Sequence, residues 1–103
     1  ERAAADYLRG MGASGLGVEA AARTAAVLST GAEGAIPLKE GYAAAMAAQN
    51  TSYACVEKNI RSMVGKLQAG ACGEYQALMG GLPAERPSNE LFLRRLARRI
   101  LEW

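Results

Sequence analysis

Glu57, Lys58 and Arg61 recur at helical spacing, which would set them on one side of a helix together with the small residues Ala54 and Gly65. A row of this kind, small, acidic and basic with no apolar bulk, faces either solvent or a polar ligand. Read for itself, it is a solvated helix face on which Glu57 and Arg61 pair at i, i+4, an interaction of a few tenths of a kcal/mol, about 0.2–0.5. No other cluster suggests chemistry. There is no nucleophile beside a base, no carboxylate pair and no glycine-rich phosphate cradle, and the chain contains no histidine. Cys55 and Cys72 lack the spacing of metal ligands, so both are expected as free thiols, buried as small apolar residues. The sequence therefore predicts no enzyme, no metal and no cofactor.

The element that must position this row is a helix of about residues 52–68. Its apolar residues Val56, Ile60, Met63, Val64 and Leu67 follow the i, i+4, i+7, i+8, i+11 pattern of a single buried stripe on the side away from Lys58. A preceding helix holds Leu38, Tyr42, Ala45 and Met46 and ends at Asn50, which tolerates a left-handed turn; Thr51 and Ser52 can cap the helix after it. Two helices joined in this way form a helix-turn-helix, the geometry that lays a second helix across a DNA major groove. The spacing alone fits a plain packed hairpin better than a DNA reader.

The rest of the chain reads as supporting helices. Residues 2–11 suggest a first helix stopped by Gly12-Ala13-Ser14-Gly15, and Val18 to Ser29 an alanine-rich second one. Ile36-Pro37 opens the third, with the proline in its first turn. After a break at Ala69-Gly70-Ala71, a short fifth helix runs from about Glu74 to Gly80-Gly81. Leu82 to Pro87 is loop. Ser88 caps a last helix with Phe92, Leu93, Leu96, Ala97 and Ile100 inward, Arg94, Arg95, Arg98 and Arg99 outward, and Trp103 as a terminal packing residue.

Composition agrees: alanine and leucine dominate, β-branched residues are scarce, and no stretch alternates apolar with polar. The expected fold is all-α, a compact bundle of about six helices spanning 1–103 as a single domain, which at 103 residues has room for one core and not two. A net charge of +2 does not by itself indicate nucleic acid. The charge is uneven, however: from Asn50 onward there are eight basic and five acidic residues, against four and five before it. No segment is apolar enough to span a membrane and no signal-peptide layout is present, so a cytoplasmic protein is expected; a start at Glu1 rather than methionine suggests a domain cut from a longer chain.

Two separated motifs go further. The turn Asn50-Thr51-Ser52 with Val56-Glu57-x-x-Ile60-Arg61, Tyr42 upstream, and Arg86-Pro87-Ser88-Asn89-x-x-Phe92 together resemble the C-terminal DNA-binding domain of the sporulation master response regulator of endospore-forming Firmicutes. The resemblance covers the whole chain and implies a six-helix domain that binds double-stranded DNA through its fourth helix. It implies base-reading positions at Glu57, Lys58, Arg61 and Ser62, where Lys58 stands in place of an arginine and Ser62 in place of a histidine. A glutamate can accept from cytosine N4, and arginine or lysine can donate to guanine O6 and N7, lysine without the planar fork. Phosphate contacts are expected at Thr51, Ser52, Arg86 and Asn89, at two helix starts. The resemblance also implies an RNA polymerase sigma subunit as partner and tandem dimers on DNA, while the family's receiver domain is absent from this chain. With Lys58 and Ser62 changed, the family's usual DNA box is not expected unchanged; Tyr53-Ala54-Cys55, Met46 and a short segment from Met79 to Arg86 also depart from the family pattern, the last beside the surface by which the family contacts the sigma subunit. The rival expectation is a helical protein-interaction module that kept the fold and lost specific DNA binding.

Overall fold

In the computed structural model, which describes residues 1–103, the chain forms six helices and no strands: α1 (Arg2–Gly10), α2 (Leu16–Leu28), α3 (Leu38–Gln49), α4 (Tyr53–Gly70), α5 (Gly73–Met79) and α6 (Asn89–Leu101). They make a compact globule of 32 × 27 × 23 Å around one apolar cluster of 25 buried residues. No helix is long and apolar enough to cross a membrane.

α2 is the central element, packing against α1, α3, α4 and α6. Its residues explain why it can touch so many neighbours: Ala20, Ala21, Ala22 and Ala25 are fully buried, and small side chains let helix axes approach closely. The closest approaches need glycine. A Cβ on Gly17 would lie 2.5 Å from the Asn59 carbonyl oxygen of α4, and one on Gly41 of α3 would lie 2.6 Å from Thr24 Cγ2 of α2. The sequence pattern places Gly17 outside α2, in the preceding loop. It is helical because contact with α4 offsets the roughly 1 kcal/mol that glycine costs relative to alanine in a helix.

The α3–α4 connection is the three residues Asn50 to Ser52, with Asn50 left-handed at φ 50° and Thr51 N–H donating back to the Met46 carbonyl. Ser52 caps α4 by accepting from Cys55 N–H at 3.2 Å. Val56, Ile60, Met63, Val64 and Leu67 are the buried residues of α4, the stripe predicted from spacing. Pro37 sits one position earlier than expected, as the residue before the first turn of α3, and helps set the chain's entry there with an extended ψ of 143°. Ser88 caps α6 through Leu91 N–H, as its sequence suggests. Trp103 packs edge-on against Tyr7 yet stays half exposed.

Candidate nucleic-acid interface

α4 is held by one face and leaves the other open. Ala54, Lys58, Arg61, Ser62 and Lys66 are exposed, whereas Val56, Ile60 and Val64 on the reverse side are wholly buried. The Arg61 guanidinium donates to the Glu57 carboxylate one turn earlier, with both side chains a little under half exposed. Lys58 forms no ion pair and stands free at the centre of the open face.

Beside this face lies the start of α6. Pro87 is buried and Ser88 caps the helix, so the chain before it is fixed, and Arg86 is exposed. The Arg86 stem passes over α4 at Gly65, where a Cβ would lie 3.6 Å from Arg86 Cδ. Gly65 is therefore a small floor that lets an arginine cross the helix. An open groove of about 330 Å³ separates the two helix starts, lined by Tyr53, Glu57, Arg61, Arg86, Ser88 and Asn89 among others. The motif at 50–61 and the motif at 86–92, distant in sequence, meet there.

Asn89 does not behave as a surface contact. Its Nδ2 donates to the Tyr42 hydroxyl at 3.1 Å and to the Glu57 carbonyl at 3.0 Å, and its Oδ1 is buried without a partner. Both amide hydrogens are spent tying α6 to α3 and α4, so no donor is left for a phosphate, and the remaining oxygen would repel one. Burial raises the Tyr42 hydroxyl above the ordinary tyrosine range, with the Asn89 hydrogen bond opposing it. Thr51 is half-buried behind the cap, while Ser52 is exposed at the helix start.

Two of the four outward arginines of α6 are engaged within the protein. Arg94 donates to the Ile36 carbonyl at 2.9 Å and pairs with Glu90 at 3.0 Å, and Arg99 pairs with Glu102 at 3.3 Å. Arg95, Arg98 and Arg99 line a separate cleft with Ala77, Leu78 and Glu102, to which α4 contributes nothing. They do not join the α4 face as a row of phosphate contacts.

Two residues of this surface are not evident from the sequence. Tyr53, 47% exposed, stacks edge-on upon Tyr42 with ring centroids 5.1 Å apart and forms one wall of the groove. Cys55, expected in the core, is exposed, because at about 100° per residue it falls on the same side of α4 as the exposed Ser62 and Lys66 and off the buried stripe. Its thiol is held below the ordinary value, chiefly by the Ser52 side chain and then by Thr51, with Lys58 adding a smaller effect. Alkylation by iodoacetamide is therefore expected to modify Cys55 ahead of the partly covered Cys72. Its rate should rise with pH and level off at a lower pH than for a free cysteine peptide, because the thiolate forms earlier. A profile matching the free peptide would mean that neither Ser52 nor Thr51 stabilises the thiolate.

No family model, curated protein or solved structure matches the chain. No three His, Cys, Asp or Glu side chains converge closely enough to hold a metal ion.

Proposed function

We propose that the domain binds double-stranded DNA sequence-specifically, with α3 and α4 acting as a helix-turn-helix and α4 seated in the major groove. The observation that supports this best is the division of α4 into an anchored apolar face and an open face bearing Lys58 and Arg61, with Arg86 alongside. A helix with side chains is about 10–12 Å across, and the major groove is about 12 Å wide. Arg61 and Lys58 donate to guanine edges, and Glu57 accepts from cytosine N4. Arg86, Ser52 and Thr51 hold the phosphodiester backbone, which fixes register without reading sequence. Together with the two motifs, this supports a transcription regulator of the sporulation-initiation type, acting in the cytoplasm, with tandem copies on DNA and the polymerase sigma subunit as a further partner.

Two observations favour the rival reading. Arg61 is already paired with Glu57, and the half-exposed Tyr53 gives the groove an aromatic wall, features that would equally suit a protein partner. Selection of tight binders from random-sequence duplexes, followed by fluorescence anisotropy, separates the two. A short enriched box is expected, with log affinity falling against log salt by roughly 0.9 for each phosphate neutralised by Arg86 and any further cationic backbone contact. No enrichment and a flat salt dependence would leave the protein-interaction module standing.

A further inference from the structure

The Arg86 groove occupies only one flank of α4. At about 100° per residue, Tyr53 and Glu57 lie toward that flank, whereas Asn59, Ser62 and Lys66 lie toward the other, with Lys58 on the crest between them. The second flank has its own cleft, about 180 Å³, lined by Ser14, Gly15 and Leu16 on one wall and by Asn59, Ser62 and Lys66 on the other.

That cleft is fixed by packing rather than left to a loose loop. Gly17 presses the first turn of α2 against the α4 backbone at Asn59, and Gly12 and Gly15 take positive φ values of 96° and 83° to bring the chain there. Ser14 is thereby set beside the outer edge of α4. Lys66 is exposed and takes part in none of the six ion pairs, so its ammonium charge is uncompensated within the protein.

A helix that fills a major groove has one phosphodiester strand along each flank. We infer that the cleft between Ser14 and Lys66 receives a backbone phosphate of the strand opposite the one met by Arg86, so that α4 is gripped from both sides. This rests on the DNA-binding reading above and deepens it. It also reassigns Ser62: the side chain is short and opens onto this cleft beside Lys66, so its hydroxyl serves the backbone and not a base edge. The recognition helix then reads sequence with Glu57, Lys58 and Arg61 alone.

The test uses the full chain and the duplex returned by selection. Lys66→Gln and Ser62→Ala are both exposed positions, and unchanged thermal melts would show that the variants fold. Lys66→Gln should weaken binding by a similar factor on every sequence, leave the selected box unaltered and lower the magnitude of the salt slope by about 0.9. Phosphate ethylation interference should show sensitive positions on both strands; Lys66→Gln should weaken interference on one strand and Arg86→Gln on the other. Ser62→Ala should lower affinity without relaxing any base position. If Lys66→Gln keeps the parental slope and the parental two-strand pattern while Arg61→Ala still loses the box, the second grip is wrong and the DNA reading survives. Relaxed base preference in Ser62→Ala would return Ser62 to the reading edge and overturn its assignment to the backbone. A parent chain that selects no box overturns both inferences together.

Discussion

Arg61→Ala is expected to lose the selected box while the fold stays intact. A bidentate arginine contact to a guanine edge accounts for about 1–3 kcal/mol of discrimination, roughly 5- to 150-fold in affinity. The truncation also frees the Glu57 carboxylate, which in the parent is neutralised by Arg61 and would then face a polyanion alone. The loss should therefore lie toward the upper part of that range. Stability should hardly change, because the Glu57–Arg61 pair is solvent-exposed and such i, i+4 pairs contribute about 0.3–0.5 kcal/mol. Anisotropy titrations and thermal melts on the same preparation separate the two effects. Parental affinity in Arg61→Ala would refute the assignment of this face to DNA.

The same division explains which features were legible from sequence. The buried stripe of α4 was readable because its residues repeat with the helix period, and the caps Ser52 and Ser88 because an N-cap hydrogen bond needs only residues three apart in sequence. The turn at Asn50 was readable for the same local reason. Properties set by neighbours in space were not. Asn89 occupies a helix start, where sequence suggests a ligand contact, yet its amide is consumed by Tyr42 and Glu57, 47 and 32 positions away. Gly17 looks like loop because glycine weakens an isolated helix, and only the approach of α4 makes it a helical residue. The α6 arginines all point outward in projection, but the Ile36 and Ala77 carbonyls claim two of them from elsewhere in the fold. The site itself was thus half legible. Glu57, Lys58 and Arg61 could be named from one helix and Arg86 from a second motif, whereas Lys66 and the two clefts flanking that helix depend on where α2 and α6 begin.

Ile60→Ala is expected to act on the opposite face of α4 with the opposite signature. The Ile60 side chain is fully buried and among the largest that are, on the reverse side of the helix from Lys58. Truncating a buried isoleucine to alanine costs about 2–5 kcal/mol, since the surrounding core collapses only partly into the space left. Domains of this size have roughly 5–15 kcal/mol of total stability, so a third or more of it could be removed at one position. The melting temperature should fall by roughly 10 °C or more, given about 4–8 °C per kcal/mol for small domains. At low temperature, where the variant remains folded, the selected box should still be bound with the parental base preference, because no groove-facing side chain has changed. A variant with a nearly unchanged melt would mean that this stripe is not what anchors α4. A variant that folds but prefers different bases would mean that anchoring and reading are coupled through the helix's axial position, as the Asn89 tie to the Glu57 carbonyl would allow.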